Sequence, residues 1–426
     1  MNNKVIAIIA VVIIAVAGCS AGVILLNDDD TEYRSSDVTG RLAILGNANN
    51  DDYIDNKDLS TIDAIIDGTL DNEDYPLADA DNNGKIDSND RKIIERMIKR
   101  EPMTIKYING NGEVKNVGYP LNRVVVVGSN ATMTLQALGA ISSKKVVGVT
   151  GESTKDYYLF SDLVDIPKVS TSVLAADFDA VTNIGNVDAI ITMSSASYLK
   201  NEATFIGANI DVVRISSSDG LEAISVALTM GYLLGLEDRA NEYAKFCDEI
   251  LSHIENKASS ISHKDKVTCL TATMTNYVSG SSSDYYTLTT ICGGDNIADW
   301  TEVTKRFNKG DEWLLKPAYH ADKFIHYKQY SYDPDEDQSK MYKTYRSYFE
   351  DTQIVKDGNY VLINSNAPAI VRLAYTASVL YPEIYGSDYG DKVHQEYVDK
   401  FLDNLSAENY KVTSMKFVLT DDLFDI

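Results

Sequence analysis

Polarity along the chain changes character three times. Residues 5–26 form a run of 22 residues without a charge, preceded by Lys4 and ended by Asn27-Asp28-Asp29-Asp30. A helix of that length reaches about 33 Å, enough to cross a bilayer. Lysine before the run and acid after it orient the N-terminus to the cytoplasm and the rest of the chain outward. Between Gly46 and Ile98, polar loops alternate with short helical periods, Leu59-Ile62-Ile65-Ile66 and Ile93-Ile94-Met97-Ile98. After Pro120 the pattern becomes α/β. Val124 to Val127 is continuously apolar, as in a strand buried on both faces. Further strands are predicted at 145–150, 187–192 and 211–215. Apolar residues then recur at helical spacing over 220–260, among them Leu221, Ile224, Leu228, Phe246, Ile250 and Ile254, predicting one long helix with a weak point near Gly235. A second set follows: strands at 266–271, 323–326 and 360–363, a helix around 287–291 and a closing helix at 394–402. Strands alternating with helices imply parallel sheets. The predicted fold is α/β and bilobal, two lobes joined by one long helix.

Charge sharpens this picture. The chain carries 63 acidic and 39 basic residues, a net charge of −24 over 426 residues. Such a surface repels polyanions and excludes nucleic acid as a partner. Residues 28–101 alone hold 20 acidic and 9 basic residues. Acid concentrated in this way is either a solvated linker or a set of cation ligands. The four cysteines, Cys19, Cys247, Cys269 and Cys292, form no Cys-x-x-Cys pair, which excludes a zinc ribbon or a thioredoxin motif. Cys269 and Cys292 are open to two readings, a disulfide or two buried thiols. There is no Gly-x-Ser-x-Gly, P-loop or His-Glu-x-x-His, and the five histidines are scattered, so no enzyme is expected.

The acid falls in a pattern. Asn47, Asn49, Asp51, Tyr53, Asp55 and Asp58 occupy positions 1, 3, 5, 7, 9 and 12 of one loop. Asp79, Asp81, Asn83, Lys85, Asp87 and Asp90 repeat them 32 residues later. Oxygen side chains at 1, 3, 5, 9 and 12, with a main-chain carbonyl at 7 (here Tyr53 and Lys85), make the spacing of an EF-hand calcium loop. Ile54 and Ile86 stand at position 8. Aspartate at position 12, and a helix after each loop, make the segment resemble a dockerin type I module. That resemblance implies bound Ca2+ and a cohesin on a partner protein; the alternative is a calcium-stiffened spacer. The first loop departs from the pattern, with Asp52 where the second has Gly84, so the second loop is expected to bind calcium better.

The main body also carries a resemblance. The segment from Asn122 to Gly139, then Val146-Val-Gly-Val-Thr150, Ile166-Pro-Lys-Val169, Asp177-Phe-Asp-Ala-Val181 and Cys292-Gly-Gly-Asp-Asn-Ile297 follow one another in order. Leu380-Tyr-Pro-Glu383 continues the series. The ordered set resembles periplasmic binding proteins for ferric siderophores, haem and cobalamin. It implies an extracytoplasmic solute-binding component of an ABC importer, which delivers a metal chelate to a permease and its ATPase. An iron siderophore is expected first, a corrinoid or haem second. The competing reading is a cell-surface interaction protein acting through the dockerin-like segment. Val16-Ala17-Gly18-Cys19 resembles a lipobox, so the chain is expected on the outer face of the cell membrane, held by an uncleaved helix or by a lipid on Cys19.

Ligands of α/β sheets bind beyond the carboxyl ends of strands. Those ends single out Ser129, Asn130, Thr150, Ser194, Ser195 and His326. Ser129 and Asn130 open a helix, whose free N–H groups suit an anionic ligand edge; the alternative is that one of them caps it. Tyr277, Tyr285, Tyr286 and Trp300 are candidates to line a cleft for a flat chelate. Arg372 is a candidate for a ligand carboxylate, or else a surface arginine. The resemblance puts permease docking on one acid per lobe, Asp179 in the first and Glu312 in the second. Residues 328–349 hold five tyrosines and read as a surface insertion. The expected divisions are a signal-anchor or lipoprotein signal (1–27), an acidic linker (28–40), the dockerin-like calcium module (41–101), lobe one (120–219), the connecting helix (220–260) and lobe two (261–426).

Overall fold

A computed structural model of the chain describes residues 41–151, 156–216, 222–300, 306–308, 321–424 and Ile426. The predicted membrane helix, Cys19, the acidic linker and Glu312 lie outside these residues. Among the described residues, no helix is long and apolar enough to cross a membrane. The described chain forms two units. Unit one holds 41–151, 166–216 and 222–244; unit two holds 156–165, 245–300, 306–308, 321–424 and Ile426.

Unit one begins with the two acidic loops. Each runs into an 11-residue helix, α1 (Asn56–Ile66) and α2 (Ser88–Ile98). Both helices open on a capping box, Asp55 with Asp58 and Asp87 with Asp90, and the two cap residues share φ near −144°. The sequence repeat is therefore also a geometric one, since each aspartate pair satisfies N–H groups that the first turn leaves open. The helices bury Ile62, Ile65 and Ile94 against Ala48, Ala78 and Ala80, with Ile54 and Ile86 packed at the margin. An antiparallel hairpin follows, β1 (Met103–Ile108) and β2 (Val114–Tyr119), where the sequence reading assigned no element. Ile105, Tyr107, Val117 and Tyr119 are its buried positions.

Next comes a five-stranded parallel sheet. Its strands are β3 (Val124–Val127), β4 (Val146–Thr150), β5 (Lys168–Ser170), β6 (Ala189–Met193) and β7 (Asp211–Ile215), in the order β5-β4-β3-β6-β7. All four pairings are parallel. Helices α3 (Ser129–Ala137), α4 (Phe178–Ile184) and α5 (Glu202–Ile206) connect the strands. The long helix expected over 220–260 is two helices, α6 (Ala223–Leu234) and α7 (Glu237–Ala258), separated at Gly235. Gly235 closes α6 in a left-handed turn that frees the chain to restart. The boundary between the units falls inside α7, after Ala244.

Unit two carries β8 (Thr268–Ala272), β9 (Tyr277–Ser279), α8 (Asp284–Ile291), β10 (Asp295–Asn296) and β11 (Arg306–Asn308). It continues with β12 (Lys323–Lys328), α9 (Gln338–Ser347), α10 (Gln353–Lys356) and β13 (Tyr360–Asn364). Helices α11 (Ala369–Leu380), α12 (Pro382–Tyr385), α13 (Tyr389–Phe401) and α14 (Asp403–Ala407) then precede β14 (Val418–Thr420). The sheet runs β11-β9-β8-β12-β13-β14, with β10 beside β8. Its centre, β8, β12 and β13, is parallel, while β9, β11 and β14 join antiparallel.

The tyrosine-rich stretch 328–349 is not a surface insertion. Tyr330, Tyr332 and Tyr342 are buried in unit two. Each hydroxyl has a partner there: Tyr330 donates to Lys416 O, Tyr342 to Asp421 Oδ1, and Tyr332 lies 2.9 Å from His394 Nε2. A buried phenol is stable when its O–H is satisfied, so composition alone was a poor guide to exposure. Residues 156–165, expected in lobe one, belong to unit two. There buried Asp156 accepts from Tyr332 N at 2.9 Å, and Asn404 Nδ2 donates to Leu159 O at 3.0 Å.

Candidate functional site

Chemistry-bearing groups gather in three places, two of them in unit one. The first is the pair of acidic loops. In the second loop, carboxylate oxygens of Asp79, Asp81 and Asp90 lie within 4.8 Å of one another. Burial raises the carboxyl pKa of Asp79 and of Asp90, with neighbouring acids adding to the effect. Loop N–H groups hold Asp79: Asn83 N donates at 3.0 Å and Gly84 N at 2.7 Å. Gly84 reaches this position with φ +82°, which a side chain would resist.

The first loop takes another path. Asp52 does not adopt a left-handed conformation, and its carboxylate pairs instead with Arg41. No loop N–H therefore serves Asn47 at position 1. Asn47 is fully buried; its Nδ2 donates to Leu42 O at 3.1 Å and to Asp51 O at 2.7 Å, and its Oδ1 has no partner. Asp58, at position 12, is also buried, which pushes its carboxyl up to about 6. The clustered acids of the second loop, and the unsatisfied buried carbonyl of Asn47 in the first, fit a hard, oxygen-seeking cation such as Ca2+. Asn49, Asp51, Asp55, Asn83 and Asp87 would supply the other side-chain oxygens to such an ion, and Tyr53 and Lys85 the carbonyls.

The second place is the carboxyl edge of the five-stranded sheet. β3 is followed by Gly128, whose φ of +107° turns the chain directly into α3. A side chain on Gly128 would also crowd the Tyr198 ring, 3.1 Å from an ideal Cβ. Gly128 is the N-cap and offers no side chain, so neither Ser129 nor Asn130 caps the helix; both are partly exposed in its first turn. Thr150 ends the neighbouring β4 but is fully buried, its Oγ1 3.4 Å from Gly128 N. It supports the turn from beneath and does not present its hydroxyl at the surface. Ser194 and Ser195 follow β6, and Ser195 Oγ lies 2.8 Å from Ser197 Oγ. Thus β4, β3 and β6, adjacent in the sheet, bring all five predicted residues to one edge.

Arg214 shapes that edge and was not singled out from the sequence. It donates from Nη1 to Met193 O at 2.8 Å and from Nη2 to Tyr198 O at 3.2 Å. Its Nε and Nη2 reach Glu202 Oε2 at 2.9 and 2.6 Å. One guanidinium fork therefore fixes both ends of the Ser194–Ser195 loop. Its position in the middle of a predicted strand gave no sign of this. Asp179 stands exposed in the first turn of α4.

The third place is in unit two, where the predicted residues separate. Arg372 is buried rather than at the surface; its Nη1 donates to Tyr285 Oη at 2.7 Å and its guanidinium lies 5.0 Å from that ring. Tyr285 in turn packs against Tyr327, with ring centroids 4.7 Å apart. Tyr286 donates to Asp299 at 2.7 Å, Tyr277 lies under the Arg306 guanidinium at 4.4 Å, and Trp300 is exposed. His326 is no ligand at the sheet edge. It is fully buried in β12, with Nδ1 2.7 Å from Tyr360 Oη, and burial lowers its pKa to about 3. Its strand position turns it inward between Phe349 and Tyr360. Cys247, Cys269 and Cys292 are buried free thiols, which decides against a Cys269–Cys292 bond.

No protein-family model matches the chain, and no curated protein matches it in sequence. Solved structures do match its fold. The TroA-like periplasmic binding protein FepB of Veillonella parvula is 19% identical over 70% of this chain and 96% of its own, with a TM-score of 0.56. The molybdate periplasmic binding protein MolA of Haemophilus influenzae, bound to molybdate, is 15% identical over 70% and 97%, with a TM-score of 0.54. CeuE of Helicobacter pylori, in a Ni-His complex, is 13% identical over 72% and 100%, again at 0.54. At these identities the likeness is one of fold: the chain's two α/β units are built like those of periplasmic binding proteins.

Proposed function

We propose that the chain is the extracytoplasmic solute-binding component of an ABC importer and that its cargo is a metal chelate of the ferric-siderophore kind. A corrinoid or haem is the alternative cargo. The observation that carries the reading is the carboxyl edge of the five-stranded sheet. There the side-chain-free N-terminus of α3, Ser129, Asn130, Ser194 and Ser195 are held by Thr150 and Arg214. Partly exposed hydroxyls and an amide at a helix N-terminus suit the oxygen-rich, anionic face of a chelate. Two fold neighbours hold metal-bearing ligands, molybdate in one and Ni-His in another. Fold alone does not fix function, so the reading rests on these groups.

In this account the two loops hold Ca2+ as a structural ion, the apolar N-terminal run tethers the chain to the membrane, and Asp179 faces the permease. The chain captures and delivers; it carries out no reaction. Isothermal titration calorimetry of the purified chain tests the cargo. Ferric chelates, a corrinoid and haem are titrated in turn. A saturable binding isotherm with one of them supports the reading, and no binding of any of the three refutes it.

A further inference from the structure

Between the calcium-loop repeat and the rest of unit one the chain makes a continuous joint. Residues 41–46 run beside β1: Leu45 N donates to Lys106 O at 3.0 Å, Ile108 N to Ala43 O at 2.9 Å, and Ile44 bridges to Tyr107. Leu45, Leu77 and Ile108 share one apolar cluster. Helix α6 closes the other side, with Ala43 N donating to Thr229 Oγ1 at 3.1 Å and Tyr232 Oη to Met97 O at 3.4 Å. Arg100, just past α2, pairs with Glu237 at the start of α7. A small cavity of about 130 Å³ remains between Tyr53 and Ile54 of the first loop and Leu228 and Tyr232 of α6. A free docking appendage would not be woven into its neighbour in this way.

Asn47 connects this joint to the first loop. Its Nδ2 grips Leu42 O, within the stretch that pairs with β1, and Asp51 O, within the loop itself. The bond to Asp51 O sets the amide inside the curve of the loop. The Oδ1 on the same group is buried and unpartnered, whereas Asp79 at the matching place in the second loop has two N–H donors. A buried oxygen without a partner is unfavourable, and a cation would satisfy it. Arg41 adds a second link, from the joint to Asp52 at position 6.

We propose that a divalent cation in the first loop locks the repeat onto β1, β2 and α6, so that loop-one occupancy sets the stability of this part of unit one. The proposal rests on reading the loops as cation sites, and it assigns the structural role to the loop with the weaker sequence pattern. A ligand that binds only the folded loop adds its binding free energy to every element that must fold with it.

The test is hydrogen exchange on the full chain in detergent, with calcium and with a chelator, beside a calorimetric calcium titration. Chelation is expected to speed exchange about tenfold or more in Met103–Ile108, Val114–Tyr119 and Ala223–Leu234 together. Asn47→Ala should remove that calcium response. Asn47→Asp turns a carboxylate toward Leu42 O and Asp51 O, and should make the same segments more dependent on calcium. Unchanged exchange on chelation, in a chain that the titration shows to bind calcium, overturns the lock and leaves the cation sites standing. No calcium binding in the titration overturns both.

Discussion

Replacing Arg214 by alanine should loosen the Ser194–Ser195 loop and weaken unit one by about 3–4 kcal/mol. The number follows from what the side chain leaves behind. Arg214 is 12% exposed and Glu202 33%. Orphaning a fully buried partner costs about 3–5 kcal/mol, but water reaches a carboxylate that is one-third exposed, which lowers this share to about 2–3 kcal/mol. Met193 O and Tyr198 O also lose their donor; both lie near the sheet edge, where water can replace it in part, adding about 1 kcal/mol. Arg214→Lys should recover less than half of the loss, because an ammonium cannot span Glu202 and both carbonyls with one planar fork. Both tryptophans, Trp300 and Trp313, come late in the sequence, so fluorescence is the wrong probe for unit one. Urea unfolding by far-UV circular dichroism, with hydrogen exchange at residues 193–199, reads the effect directly. A loss below about 1 kcal/mol, with unchanged exchange in that stretch, would refute the assignment of Arg214 as the clamp of this edge.

Three further predictions concern packing and pH. His326 and His394 are held neutral by burial, both with pKa near 3. Because the unfolded chain takes up protons below pH ~6.5 that the folded unit cannot, stability should fall as pH drops from there toward 3, by about 2 kcal/mol per histidine at pH 5. Urea midpoints against pH, followed by tryptophan fluorescence, measure this, and His394→Phe should flatten the slope by about one proton. Asp421→Ala removes the carboxylate that both Arg346 and Tyr342 bond in unit two, leaving the guanidinium only Val355 O and the phenol only Tyr360 O, and should cost about 3 kcal/mol by the same fluorescence assay. Gly110→Ala drives a methyl group into the backbone of Ile215 and Ser216, and should lower the thermal midpoint of unit one in circular dichroism by several degrees, the shift expected of about 2 kcal/mol.

The regular elements were legible because burial on both faces leaves a plain mark. Val124–Val127 and Asp211–Ile215 were located to the residue, and the acidic repeat predicted both α1 and α2. The hairpin at Met103–Tyr119 is hard to see in the sequence because its apolar positions alternate over few residues, with Asn109-Gly-Asn-Gly112 as its only local turn signal. The edge of the five-stranded sheet could be read, since strand ends follow from strand positions. What holds that edge could not: Arg214 and Glu202 are 12 residues apart, and nothing in their spacing announces a shared carboxylate. Unit two misled in a consistent direction. Tyr332, His326 and Arg372 are polar by type yet buried, because each finds a partner distant in sequence.

The most direct test of the account is equilibrium dialysis of the purified chain against a ferric siderophore, a corrinoid and haem, with metal counted on the protein side. The account predicts one equivalent of a single chelate retained per chain, with retention reduced when Ser129 and Ser195 are both replaced by bulky leucine. No retention of any chelate, or retention unaffected by those replacements, would contradict it.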